Sequence, residues 1–482
     1  MNYFIIIKIL GTILFIESLF LIPPMALGAY DGDGTAMSIF SIFIVMFILG
    51  LLLMRIKNKE QVVTPKDGLF IVTFAWIMAS AFGALPLYVC ADLSYVDSFF
   101  EIVSGFTTTG ASVISNIEKL PRSIVLWRSI THWLGGMGIL VFTISLLPKL
   151  GVGGFQIFKA ESPGPVAGKI EPTVRQTAKR LYTIYIIITV ALFILLAAGG
   201  MGIFDSIIHT FGVVGTGGFS SKSDSIMSYQ GYYIPWVMTI FMVLCGTNFT
   251  IHYQLSKGKL RDILKNEEFR LFYILIFVSV ILITLDLYFH NYGSLAISVR
   301  DSAFQISSII STSGFANADY DLWPNFSKYI LLILMFIGSC AGSTAGGLKV
   351  IRIVVLLKLI KREIQKTIHP KAVLPITMNG KTLNDEVVMG INSYFGIYAI
   401  VFVISVGIIT ISGADLVSSI SSVVTMLSNV GPGFNLVGPT KNFANFAVGY
   451  KLYFSFLMLL GRLEFFTILG LIGFHTKKKK AI

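Results

Sequence analysis

Charge is what this sequence has least of: 13% of its 482 residues are Asp, Glu, Lys or Arg, against 55% hydrophobic residues and a mean hydropathy of +0.79. That balance excludes an ordinary soluble domain and places the chain among polytopic, all-α membrane proteins. Its three cysteines, Cys90, Cys245 and Cys340, stand isolated in apolar context, which excludes a disulfide framework. The histidines at 132, 209, 252, 290, 369 and 475 lack metal-ligand spacing and read as packing or boundary residues. No cleavage pattern follows the first apolar run, so it reads as a retained span rather than a signal peptide. The run GSTAGGLK lacks the Gly-Lys-Ser/Thr ending of a phosphate loop and sits inside a hydrophobic span, which excludes a nucleotide site there.

The net charge of +12 would suit a nucleic-acid partner in a soluble protein, but its placement argues against one. Most of the 37 basic residues fall in alternate loops: Arg55 to Lys66, Lys149 to Arg180, Lys257 to Arg270, Lys349 to Lys381, and Lys477 to Lys480. The positive-inside rule puts these loops and both termini in the cytoplasm.

Between the long apolar runs, one pattern occurs four times. It reads DSFFEIVSGFTTTGAS from Asp97, DSIIHTFGVVGTGGFS from Asp205, DSAFQISSIISTSGFA from Asp301, and DLVSSISSVVTMLSNVGPGF from Asp415. Each copy begins with an aspartate placed to cap a short helix, continues with apolar or small residues, and ends at Gly110, Gly217, Gly314 or Gly431. Ten helical residues cover about 15 Å, half of a bilayer core of roughly 30 Å, so these segments enter the membrane and return. Backbone that leaves helical geometry at membrane depth is tolerated only inside protein or against a water-filled cavity, so four such breaks must meet around a polar path. Helices entering from outside aim the negative ends of their dipoles at the break, and the centre favours a cation.

The aligned turn residues are Thr108, Thr109 and Gly110; Gly215, Thr216 and Gly217; Thr312, Ser313 and Gly314; and Asn429, Val430 and Gly431. In a pore, backbone carbonyls replace the hydration shell of the ion, and glycine permits the positive φ that turns them without a Cβ clash. One such turn would be an ordinary helix cap. Four in register inside apolar sequence read as a filter, with K+ held at its carbonyls.

The chain divides into an N-terminal hairpin (1–60), pore-loop repeat one (61–150), a connector with repeat two (151–262), repeat three (263–380) and repeat four with a basic end (381–482). Ten full spans and four re-entrant loops result, and each repeat's second span is interrupted, at WLGGMG, LCGTN, GSCAGSTAGG and LLGRLE. The third has too many small residues to stay helical. An irregular intramembrane loop is expected there, comprising Gly338, Ala341, Gly342, Ser343, Thr344, Ala345, Gly346 and Gly347. Lys349 and Arg352 behind it read as markers of the inner boundary. Arg462, deep in the last span, needs a cavity or a partner such as Glu464 or a loop carbonyl. Glu101, inside the first half-helix, reads as a structural hydrogen-bonding group. A membrane-embedded enzyme would need ionisable residues clustered at one depth, and here they are scattered.

The stretches FEIVSGFTTTGAS, HWLGGMGILV, FKAESPGPVAGKIEPTVRQTAK, VGTGGFS, STSGF, AGSTAGGLKVIR, NVGPGF and GRLEFFTIL, in that order, resemble the TrkH branch of the Trk/Ktr/HKT superfamily of potassium transporters. The extra hairpin favours TrkH over KtrB. The resemblance implies four pore-loop units about a pseudo-fourfold axis, potassium uptake across the cell membrane, no bound cofactor, and no enzymatic activity. It also implies a homodimer in lipid and a ring of TrkA-type cytoplasmic nucleotide-binding subunits that control the pore. In this family serine at the first filter position accompanies sodium transport, and Gly110 keeps glycine there. The GRLE match implies that Arg462 forms a positive barrier below the filter, relieved by movement of the glycine-rich loop. A sodium-selective or cation-coupled carrier on the same scaffold is the alternative.

Overall fold

The computed structural model describes residues 2–56, 64–138, 174–229 and 231–473. Residues 151–173 of the connector expected over 151–180, the part of repeat one from 139 to 150, and the basic run Lys477 to Lys480 lie outside the described residues. Within them the chain is helical, with one two-residue β-ladder in which Thr377 pairs with Thr382 around an Asn379-Gly380 turn. Both turn residues have positive φ, the geometry that Asn-Gly favours, so the hairpin was signalled by a dipeptide that the sequence reading passed over.

Among the described residues six helices are long and apolar enough to cross a bilayer: Tyr3–Asp31, Thr35–Met54, Lys66–Cys90, Gln176–Ala198, Glu267–Tyr292 and Asp385–Thr410. Two more spans are broken pairs, Tyr233–Gly246 with Phe249–Ser256, bent by 97°, and Val448–Leu463 with Phe465–Leu471, bent by 112°. The breaks fall at LCGTN and LLGRLE, where interruption was expected. In the third repeat Asn325–Ile337 stops at Gly338, and a non-helical stretch runs to Lys349 before Val350–Ile368 begins. In the first, Arg122–Gly136 ends within WLGGMG.

The N-terminal hairpin is held by close approach of its two helices. A Cβ at Gly11 would fall 2.4 Å from Leu53 Cβ, and one at Gly50 would fall 2.8 Å from the Phe15 backbone. Between bilayer-exposed helices such small-residue contacts replace the hydrophobic drive that lipid removes.

The re-entrant helices are Tyr95–Phe106, Ile203–Gly215, Leu295–Ile310 and Leu416–Leu427. Their packing is cyclic. The second lies against Arg122–Gly136 of repeat one, the third against Tyr233–Gly246 of repeat two, the fourth against Asn325–Ile337 of repeat three, and the first against Val448–Leu463 of repeat four. Each repeat therefore braces the next, and the fourth closes on the first.

Candidate functional site: a ring of four helix ends

Only one of the four aspartates takes the expected capping position. Asp415 is the N-cap and accepts from Ser418 N at 3.1 Å, whereas Ser94 caps the first helix, Gly202 precedes the second, and Asp301 lies well inside the third. The acids instead tie the entering helix to other backbone. Asp205 accepts from Ser221 Oγ at 2.6 Å, Asp301 from Asn317 Nδ2 at 2.9 Å and Asp415 from Asn435 Nδ2 at 2.9 Å, each on its own returning segment. Asp97 pairs with Lys451 of repeat four at 2.6 Å.

One turn deeper, a second set of groups pins helix to return. Glu101 accepts from Ser112 Oγ at 3.0 Å and Val113 N at 3.0 Å, His209 Nε2 meets Ser220 Oγ at 2.9 Å, and Phe434 N donates to Ser421 Oγ at 3.0 Å. Glu101 also receives Arg128, whose Nε lies 2.9 Å away and whose guanidinium stacks 4.0 Å from the Phe219 ring centre. An ion pair this buried is tolerable only when hydrogen-bonded on several sides, and here it locks repeat one to repeat two. His132 completes that joint, with Nδ1 2.7 Å from Gly105 O and Nε2 accepting from Phe219 N at 3.2 Å.

The helices end in the same conformation four times. Thr108, Thr216, Thr312 and Asn429 have φ of 56°, 56°, 56° and 54°, and two residues later Gly110, Gly218, Gly314 and Gly431 have φ of 81°, 84°, 73° and 93°. Between them, the amides of Thr109, Gly217, Ser313 and Val430 reach back five residues to Ser104 O, Gly212 O, Ser308 O and Thr425 O. This corrects the alignment of the second copy. Its triplet is Thr216, Gly217 and Gly218, so Gly215 belongs to the helix and the structural equivalent of Gly110 is Gly218. The spacing signalled it, since Thr108, Thr216 and Thr312 each lie eleven residues after the opening aspartate.

The four glycines close a ring. A Cβ on Gly110 would lie 2.0 Å from Gly217 O, on Gly218 2.1 Å from Ser313 O, on Gly314 2.3 Å from Val430 O, and on Gly431 2.4 Å from Thr109 O. Each glycine thus abuts the middle carbonyl of the next repeat, in cyclic order. Threonine 108, 109, 216 and 312, Ser313, Asn429 and Val430 are all fully buried. Side chains tie the turns together: Thr107 Oγ1 lies 2.8 Å from Thr109 Oγ1, Ser311 Oγ 2.8 Å from Ser313 Oγ, and Asn429 Nδ2 3.0 Å from Thr109 Oγ1. The C-terminal ends of four helix dipoles meet here, a field that favours a cation. On the outer side, Gly110, Gly218, Gly314 and Pro432 line a cavity of about 250 Å³ that also borders Lys222 and Lys441.

The glycine-rich loop lies directly on the ring's inner side. Gly346 N donates to Thr312 Oγ1 at 2.8 Å, Ser339 Oγ to Ile310 O at 2.7 Å, and a Cβ on Gly346 would meet Ser428 O at 2.2 Å. Gly338, Gly342 and Gly347 carry positive φ. Ala341 lies on the opposite side of the loop, where its amide and that of Ile351 donate to Glu268 at 2.7 and 3.1 Å, while Gly342 O accepts from Phe249 N at 3.0 Å. Ser343 Oγ turns back to Cys340 O at 2.6 Å, and Lys349 Nζ bonds Ala345 O.

Arg462 joins loop and ring. Its Nη1 donates to Thr344 O at 2.8 Å and reaches Thr108 Oγ1 at 3.4 Å, and its Nη2 donates to Gly135 O at 2.6 Å and Gly136 O at 3.1 Å. Of the two expected partners it takes loop carbonyls, whereas Glu464 pairs with Arg352 at 2.6 Å. Lys349 and Arg352, expected from sequence to mark the inner boundary, are 2% and 4% exposed and pack inside the protein behind the loop. Glu268 was not singled out from sequence, because nothing local distinguishes it from its neighbour Glu267 at the start of a span.

Four re-entrant helices whose ends and backbone oxygens meet in one ring, inside a bundle of apolar spans, define a membrane protein of the pore-loop type. Comparison with known proteins makes the assignment particular. Residues 35–475 match the TrkH family, described as "Cation transport protein", and the chain belongs to that family. The "Trk system potassium uptake protein TrkH" of Escherichia coli strain K12 is 37% identical over 477 residues, covering 98% of each chain. The protein of that name from Vibrio parahaemolyticus is 35% identical over 480 residues, covering 98% of this chain and 99% of that one. The crystal structure of the potassium transporter TrkH from Vibrio parahaemolyticus superposes with a TM-score of 0.87 at 33% identity, covering 98% of this chain and 99% of that chain. The chain is accordingly a transport protein rather than an enzyme.

Proposed function

We propose that this chain is the pore-forming subunit through which potassium enters the cell, with the cell (cytoplasmic or inner) membrane as its site and both termini in the cytoplasm. The observation that carries the reading is the closed ring in which each glycine abuts the next repeat's carbonyl. Dehydrated potassium sits at the carbonyls of the triplets Thr108 to Gly110, Thr216 to Gly218, Thr312 to Gly314 and Asn429 to Gly431, which stand in for water. The names of the relatives, potassium uptake proteins of Trk systems, favour potassium as the ion.

Beneath the ring, the loop from Gly338 to Gly347 and Arg462 form the gate. The guanidinium sets a positive charge in the ion's path and ties the loop through Thr344 O. Opening requires those hydrogen bonds to break, and a TrkA-type cytoplasmic nucleotide-binding subunit acting on a homodimer supplies the control. The test is potassium and sodium flux into liposomes holding the purified protein, wild type beside Gly110→Ser. Passive potassium-preferring flux that loses its preference in the variant is expected. An unchanged permeability ratio would remove Gly110 from the filter, and flux that requires a sodium or proton gradient would replace the pore with a coupled carrier.

A further inference from the structure

Glu17 stands in the middle of the N-terminal hairpin, outside the fourfold repeat, and takes no part in the pore described above. It is 3% exposed, and neither carboxylate oxygen has a hydrogen-bond partner among the described residues. The space it occupies exists because Gly83 has no side chain: a Cβ there would fall 2.9 Å from Glu17 Oε1, 3.0 Å from Ile102 Cγ2 and 3.1 Å from Phe106 Cε2. Ile102 and Phe106 belong to the last turns of the first re-entrant helix, two residues short of the ring. The gap at Gly83 therefore brings the carboxyl near the back of the element that presents Thr108, Thr109 and Gly110.

Among the described residues no cation pairs with it. Thr35–Met54, packed along its own helix, contains no charged residue. On the other neighbouring elements Asp67 bonds Thr64 and Asn2, Asp97 pairs with Lys451, Glu101 with Arg128, Asp31 with Arg122, and His132 bonds Gly105 O and Phe219 N, while Lys8 lies nine residues before Glu17 on its own helix and Lys66 seventeen residues before Gly83 at the start of the neighbouring one. A carboxylate in such surroundings must acquire a positive partner or become neutral. A bare alkali cation needs a shell of several oxygens to replace its hydration. A proton needs only one.

Further buried polar groups without partners among the described residues lie on the neighbouring helix. Thr73, Trp76, Ser80 and Gly83 recur at helical spacing on Pro65–Gly83 and share one face. Thr73 Oγ1, Trp76 Nε1 and Ser80 Oγ are buried and lack partners among the described residues. The Trp76 ring centre lies 5.7 Å from the Arg462 guanidinium carbon, so this polar stripe runs from the inner side of the ring up to Gly83 and Glu17. We propose that Glu17 is a proton-binding site whose occupancy sets the position of the first re-entrant helix and hence the flux through the pore. With the proton on, a neutral carboxyl packs against Ile102 and Phe106. With it off, an uncompensated anion is forced against the same apolar groups and displaces them.

The flux half of this proposal rests on the potassium-uptake reading; the protonation half does not, and the experiment separates them. Infrared spectra of wild type and Glu17→Gln, recorded through the pH range in which the folded protein is stable, isolate the band of a protonated carboxyl. That band should be present in wild type, titrate away with alkali, and be missing in the variant. Liposome flux of wild type should change over the same interval by roughly fivefold or more, the lower end of ordinary coupling between two sites. Flux of Glu17→Gln should stay flat with pH. Should Glu17→Gln fail to fold, Glu17→Asp, which withdraws the carboxyl from Gly83, should move the midpoint of both band and flux. Identical infrared spectra for wild type and variant overturn the proton site, and a variant that keeps the wild-type pH profile overturns its control of the pore. Flux from neither protein at any pH counts against the transport reading, and the infrared result then decides the site alone.

Discussion

At the scale of single residues, the four positive-φ glycines carry the largest consequences, because each combines two penalties. A side chain would strain the backbone by about 1–2 kcal/mol and would also place Cβ 2.0 to 2.4 Å from a neighbouring carbonyl oxygen. The carbonyl must move, and it belongs to the adjacent repeat, so damage at one glycine spreads to the next position of the ring. Gly218→Ser should therefore lower the potassium-to-sodium permeability ratio as Gly110→Ser does, by on the order of tenfold, equivalent to about 1.4 kcal/mol of lost discrimination. Measured bi-ionic permeability checks this, and a wild-type ratio in Gly218→Ser would return that role to Gly217. Gly217 is needed for another reason: a Cβ there would fall 2.4 Å from the His132 ring. Two adjacent glycines with different duties are what misled the alignment by one place, since composition alone does not say which carries the positive φ.

At the scale of elements, the loop from Gly338 to Gly347 is held from two sides, by Arg462 against the ring and by Glu268 against the helices behind it. Arg462→Ala removes the donors to Thr344, Gly135 and Gly136 carbonyls together with the charge below Thr108. Passive flux without any cytoplasmic partner should rise several-fold, as expected when a few hydrogen bonds of about 1 kcal/mol each no longer hold the closed position. A silent or slower pore would make Arg462 a structural tether alone. Glu268→Ala leaves the buried amides of Ala341 and Ile351 without their acceptor, which costs about 1–3 kcal/mol. It should raise basal flux and lower the melting temperature in detergent together, and a change in one without the other would separate loop position from fold stability. The loop was legible in sequence because eight of its ten residues are Gly, Ala or Ser, four of them Gly, too many to hold a regular helix. Of its clamps, Arg462 was legible with a loop carbonyl among its expected partners, whereas Glu268 was not, because it lies far from the loop in the chain and meets it only through the fold.

At the scale of the whole molecule, the ring depends on repeat four returning to repeat one. Lys451 is 7% exposed, and its pair with Asp97 at 2.6 Å joins the last long span to the first re-entrant helix. Lys451→Met keeps the aliphatic bulk and leaves Asp97 without its cation, so it should destabilise the protein by about 1–3 kcal/mol, less than a fully buried pair because Asp97 is partly exposed. Thermal unfolding in detergent measures this. Flux selectivity should fall with it if closure of the ring is what aligns Gly431 with Thr109. The double variant Lys451→Met with Asp97→Asn should recover much of the loss, and no recovery would show that the lysine acts through packing rather than charge.

The sequence by itself determined the class of the molecule. Apolar length set the spans, basic loops set the expected orientation, and four short apolar segments ending in glycine set the re-entrant plan, because each follows from burying backbone in a medium without water. It also signalled the interruptions in the second spans of repeats two, three and four. Only the tertiary structure decided the register of the second turn, the redirection of the aspartates from capping to bracing the return segments, and the inward placement of Lys349 and Arg352. It alone placed an uncompensated Glu17 against the first re-entrant helix. These share one physical cause: hydropathy and spacing report what a segment must avoid, whereas the partner a polar group finds is set by residues up to 354 positions away, as Asp97 and Lys451 are.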